Sequence, residues 1–161
     1  MRISRIAVLG ASLLVGLVVT ASGAGSAGTA TILKADTLAG VSGPYVGTPN
    51  PIRGVNGGGV AWDIAKGEAV LTADGVLEVK VEGLVLATTG TNPVTSFRAI
   101  VSCQAIVDGA AAVVNVSTAA FPATTTGDSK IAETVSLPSK CFAPIVFVTS
   151  PGGSWFAVTG V

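Results

Sequence analysis

The segment "VLEVKVE" (Val76–Glu82) constrains this chain more than any other. Leu77, Val79 and Val81 alternate with Glu78, Lys80 and Glu82. A period of two puts the apolar residues on one face of an extended strand and the charged ones on the other. "ADG" just before it reads as a tight turn, so this strand pairs with "GEAVLTA" in a hairpin. Glu78, Lys80 and Glu82 are then the solvated face of a sheet, not paired catalytic carboxylates.

The same grammar recurs along the chain. "TSFRAIVSCQAIV" alternates, with Phe97, Ala99, Val101 and Cys103 on one face. Asp108–Gly109 follows as a turn, and "AAAVVNVSTAAF" is the next strand, with Val114 and Val116 turned inward. "TTTGDS" is a loop and "KIAETVSLP" a strand ending near Cys141. "PIVFVTS", the turn "PGG" and "SWFAVTGV" form a final hairpin of β-branched and aromatic residues. "TATILKADTLA" (Thr29 to Ala39) reads as the first strand. No stretch after the first 27 residues sustains a 3.6-residue period. The expected fold is all-β: a single-domain antiparallel sandwich or barrel of about eight to nine strands. A sandwich, immunoglobulin-like or similar, is the favoured form.

The beginning of the chain reads differently. "MRISR" carries Arg2 and Arg5, Ile6 to Val19 is uncharged and apolar, and "TASGAGSAGTA" consists of small residues. That order is a secretory signal peptide, with cleavage expected after Ala21, Ala24 or Ala27. The apolar run is too short for a span of about 20 residues. The expected division is a signal and cleavage region over 1–27 and the all-β domain over 28–161. The membrane is then met only through the signal before cleavage, and the mature protein is secreted.

Charge and composition narrow the partners. Without Arg2 and Arg5, seven basic residues stand against nine acidic ones, a net charge of −2. Lys and Arg are scattered singly, with no basic cluster to hold a nucleic acid. Charged residues make up 11% of the chain, less than half of the usual ~25%. Hydroxyl groups and backbone must wet most of the surface.

Cys103 and Cys141 are the only cysteines and there is no histidine. A zinc site needs about four ligands, and a cysteine nucleophile needs a base beside it. Neither is provided, so no metal or cofactor is expected. An exported chain with two cysteines points to a single disulfide. Closing a loop of about 39 residues stabilises a fold by roughly 3–4 kcal/mol in the chain-entropy description.

Motifs that suggest chemistry fail on context. "GAGSAG" matches G-x-G-x-x-G but lies in the cleavage region, with Asp36 too close behind it. Gly57–Gly59 lacks the Lys and Ser/Thr of a phosphate loop. "GDSK" lacks the second glycine of a nucleophile elbow, and a Ser-His-Asp triad needs a histidine. Ser129 and Ser139 adjoin Lys130 and Lys140, but neighbours on a strand point to opposite faces. Asp74 and Asp108 precede glycines, which is turn chemistry. Asn115 heads a glycosylation triplet inside an expected strand. Trp62 and Trp155 fall in expected strands and read as core.

"GVSGPYVGTPNPIRGVNGGG" (Gly40 to Gly59) is the one long irregular stretch, and irregular loops on rigid sheets commonly carry recognition. Tyr45, Arg53 and Asn56 are its candidate binding residues. The expected function is a secreted, non-enzymatic protein with a structural, surface-associated or binding role toward an extracellular protein or surface. A second expectation is carriage of a small apolar ligand between sheets or in a barrel mouth. The third is a carboxylate-only hydrolase using Asp63 and Glu68.

Two resemblances bear on this. The arrangement resembles immunoglobulin-like sandwiches, whose core tryptophan lies between the two cysteines; here Trp62 precedes both and Trp155 follows both. In composition the mature chain resembles the small secreted apoproteins that carry enediyne antibiotics, which are Ala/Gly/Thr/Val-rich sandwiches. That resemblance is one of style, without a shared motif, and those proteins have two disulfides. It implies carriage of an apolar small molecule.

Overall fold

The computed structural model describes residues 29–160. The expected signal peptide, its cleavage sites and "GAGSAG" lie outside the described residues. The chain forms β1 (Thr31–Ala35), β2 (Leu38–Gly40), β3 (Trp62–Asp63), β4 (Lys66–Thr72), β5 (Val76–Glu82) and β6 (Val85–Leu86). It continues through β7 (Ser96–Val107), β8 (Ala110–Ser117), β9 (Phe121–Pro122), β10 (Ser129–Thr134), β11 (Phe142–Thr149) and β12 (Trp155–Thr159). The fold is all-β, built of antiparallel sheets. Among the described residues no helix is long and apolar enough to cross a membrane.

The hairpin of β4 and β5 forms as its alternation dictates. Leu71 faces Leu77, Ala69 faces Val79 and Gly67 faces Val81 across the ladder. Leu77, Val79 and Val81 are buried while Glu78 and Lys80 point to solvent. β10 adds to the free side of β5, with buried Ile131 opposite Val79. β1 adds to β4, giving the order β1-β4-β5-β10.

The second sheet runs β2-β12-β11-β7-β8, with β9 also pairing with β7. Phe97, Ala99, Val101 and Cys103 are buried, as their alternation predicts. Between the sheets, Trp62 from the small β3–β6 ribbon stacks on Phe156 at 3.9 Å between ring centroids. Phe97 meets the edges of both rings. Trp62 and Trp155 are both buried.

Several elements differ from the sequence reading. Thr29 to Ala39 is two strands, not one: the chain turns at Asp36–Thr37 and passes from the first sheet to the second. Among the described residues twelve strands replace the expected eight to nine, because β2, β3, β6 and β9 are too short to show a period. Val114 and Val116 face inward but are only half-buried, since β8 is the outermost strand of its sheet.

Cys103 and Cys141 are bonded, with their Cα atoms 4.9 Å apart. Cys103 is in β7 and Cys141 immediately precedes β11, which pairs with β7. The bridge ties a strand to the chain entering its neighbour within one sheet.

The Gly40–Gly59 stretch is packed down rather than free. Its two ends pair with β12, and between them the segment carries the Ile52–Val55 turn over the outer face of the second sheet as a roof. Trp155 donates its backbone N–H to the Asn56 carbonyl, and Gly58 donates to the Trp155 carbonyl, each within 2.9 Å. A Cβ on Gly57 would collide with the Tyr45 carbonyl oxygen, so the close approach of chain to chain there needs glycine. Beneath this roof Ile100, Ser102, Phe147 and Trp155, which share the outer face, are buried.

Candidate functional site

The roof covers only part of the outer face, and the uncovered part is apolar. Two tight turns set its limits. Asp108 and Gly109 join β7 to β8 with φ of 51° and 81°. Two successive positive φ values make the mirror-image turn that suits the twist of a two-residue hairpin. Ile52 and Val55 exchange backbone hydrogen bonds around Arg53 and Gly54, whose φ values are 49° and 80°. This is a second turn of the same kind, with arginine where asparagine or glycine is usual. Left-handed non-glycine residues persist where the surroundings hold them. Here the Arg53 Nη1 donates to the Ser102 carbonyl at 3.0 Å, and the Asn115 side-chain amide donates to the Arg53 carbonyl at 3.0 Å. The turn is thereby pinned across β7 and β8.

Beyond Arg53 the sheet is open. Gln104 lies between Val113 on β8 and Phe142 on β11, and in the next row Ile106 lies opposite Ala111. Residues paired across a ladder share a face, so these five form one floor. A bulge between Phe142 and Ile145, where Ala143 has φ of 43°, places Phe142 opposite Gln104. Ile106 is 58% exposed, Phe142 51% and Val113 47%. A shallow depression of about 290 Å³ lies over Gln104, Ala105, Ala111, Ala112 and Val113.

Of the candidates read from the sequence, only Arg53 borders this floor. Tyr45 is exposed at the other end of the roof, its ring 6.4 Å from that of Trp155. Asn56 is exposed and spends its carbonyl on Trp155. The loop therefore spreads the three residues along the face and does not gather them.

The candidate carboxylates are not brought together either. Asp63 is exposed on β3 opposite Val85, whereas Glu68 is exposed on β4 opposite Lys80. The Ser129 hydroxyl donates to the Pro122 carbonyl at 2.9 Å. Among the described residues no three carboxylate or cysteine groups cluster as a metal site would require.

A wider hollow of about 510 Å³ is bordered by Lys80, Glu82, Pro122, Asp128, Ser129 and Lys130. Two of its charged groups are engaged with each other, and a third is held by hydroxyls and a backbone N–H. Lys80 and Glu82 form an ion pair at 2.6 Å. The hydrogen bond and charge of Lys80 hold the Glu82 carboxyl below its ordinary range, and Glu82 raises the Lys80 ammonium in return. Asp128 is lowered chiefly by the Thr126 hydroxyl and then by the Gly83 N–H, both of which donate to it.

Ile106, Val113 and Phe142 were not among the residues the sequence singled out. For Ile106 and Val113 the available signal was parity, each being apolar on the outward side of an alternating strand; Phe142 carries no such signal, because the bulge after it breaks the alternation. Comparison with known proteins yields no match, whether to family models, to curated proteins or to solved structures.

Proposed function

We propose that this chain is an exported, non-enzymatic binding module that holds an apolar small molecule on the floor formed by Ile106, Val113 and Phe142. The observation carrying the reading is the joint exposure of these three side chains in adjacent rows around Gln104, with the Arg53 cation at the border. A mostly apolar surface with a few placed polar groups is the usual make-up of a small-molecule site. Exposed apolar clusters on soluble domains commonly mark such sites. Export is supported by the leader-like first 27 residues and by the disulfide.

We also read the sandwich as immunoglobulin-like. Taking β4, β5, β7, β8, β10, β11 and β12 as strands A, B, C, C′, E, F and G gives sheet orders A-B-E and G-F-C-C′. Those orders fit the Greek-key sandwich of that class. The disulfide departs from the antibody pattern, since it joins strand C to the entry of strand F within one sheet.

The test is titration with anilinonaphthalene sulfonate, an apolar anion suited to a floor beside a guanidinium. Saturable binding by the folded protein, weakened about tenfold or more by Phe142→Ser without loss of melting temperature, is the expected result. A folded protein that leaves the dye dark removes the carrier reading and returns the module to a structural or surface-associated role.

A further inference from the structure

We infer that the edge of β8 pairs with β8 of a second copy, joining two six-stranded sheets into one across a two-fold axis at Val113. Exposed sheet edges present unpaired N–H and C=O groups, and proteins blunt them with charge, proline or shortness. Among the described residues, three of the four outer edges of the two larger sheets are treated so. β1 carries Lys34, β10 carries Lys130 and Glu133, and β2 is only three residues long. β8, "AAAVVNVS", is eight residues long with no charge and no proline.

The register follows from the turn. A two-residue hairpin makes Val107 and Ala110, its flanking pair, exchange both hydrogen bonds. Alternation then directs the backbone groups of Ala112, Val114 and Val116 toward β7. Those of Ala111, Val113 and Asn115 point outward, and they have no strand partner among the described residues. Antiparallel pairing about a two-fold axis normal to the sheet keeps each face on its own side, so only residues of equal parity can meet. Val113 then meets its own counterpart, and Ala111 meets Asn115 of the other copy. Every outward group in this stretch finds a partner, and no charge is set against a like charge. This self-complementarity, in an edge left unblunted beside three blunted ones, is what selects a second copy as the occupant. The inference does not rest on the ligand reading, although it would set the two open floors side by side on one face.

Sedimentation equilibrium of the purified, disulfide-bonded protein tests it. The expected mass is that of two chains, and Val113→Lys is expected to weaken the dimer about tenfold or more by placing two ammonium groups on the axis. The equally surface-directed Val76→Lys, on the other sheet, should leave the dimer intact. A Val113→Cys variant, independent of any loss of folding by the lysine variant, should form an interchain disulfide faster than Ile106→Cys, although Ile106 is the more exposed. A single-chain mass for the parent protein overturns the inference. So does a dimer that survives Val113→Lys or is lost with Val76→Lys, or an Ile106→Cys variant that crosslinks as fast as Val113→Cys.

Discussion

The side-chain amide of Asn115 donates to the backbone carbonyl of Arg53 at 3.0 Å, fastening the irregular Gly40–Gly59 segment to a strand 62 residues further on. Arg53 returns a hydrogen bond to the carbonyl of Ser102. Together these contacts fix where the roof stops and where the open floor begins. Asn115→Ala removes one member of this pair, and a typical hydrogen bond contributes about 1 kcal/mol. Urea unfolding should show a loss of that size, with cleavage by trypsin at Arg53 becoming faster in the native state.

The disulfide is open to a direct chemical check. Alkylation without reductant should label neither cysteine, because Cys103 and Cys141 are bonded to one another. The Cys103→Ala/Cys141→Ala variant should lose roughly 3–4 kcal/mol of stability, the value for a closed loop of this length. Chemical denaturation of the two proteins side by side measures it.

Trp62 anchors the core between the sheets, stacked on Phe156 and edge-on to Phe97. It belongs to a two-residue strand, so its place rests on packing rather than on the ladder. Trp62→Ala should cost about 3–5 kcal/mol, as expected for removing a buried aromatic side chain. The shift in the denaturation midpoint reports it.

Acid should weaken the fold through Asp128 and Asp74. Asp128 accepts from Thr126, Thr124 and the Gly83 N–H, and Asp74 accepts from Thr72 and Thr29. Both carboxyls lie below their ordinary pKa when folded, the Thr126 and Thr72 hydroxyls being the largest causes. A depressed carboxyl binds its proton more weakly in the folded state than in the unfolded one. Its stabilisation is therefore complete above the unfolded value of about 3.9 and disappears as pH falls through the folded value. Melting temperature should fall below about pH 4, and Asp128→Asn should shrink that dependence.

The legible parts of this fold are those whose cause is local. The β4–β5 hairpin follows from strict alternation around Asp74–Gly75, and the buried face of β7 follows in the same way from Phe97 to Cys103. The bridge between the cysteines follows from there being only two. The passage of the chain between sheets at Asp36–Thr37 has no such mark, because strand propensity says nothing about which sheet a strand joins. The roof is also hidden. Val41, Val55 and Gly57 are buried at irregular intervals, and the partners of Val41 and Gly57 lie on β12, about a hundred residues later. The Ile52–Val55 turn escapes notice because arginine occupies a left-handed position. The open floor depends on where that turn lands, so the exposure of Ile106, Val113 and Phe142 is set by tertiary structure. For Ile106 and Val113 the sequence neighbours show only that the outward parity is apolar, and for Phe142 the bulge at Ala143 hides even that.

The two tryptophans occupy separate compartments. Trp62 sits in the space between the sheets, and Trp155 lies on the far side of its sheet, beneath the covering segment. Each indole is therefore a separate optical gauge. Emission from a Trp62→Phe variant reads the lifting of the cover, emission from a Trp155→Phe variant reads the parting of the two layers, and a difference between the two curves would time one event against the other.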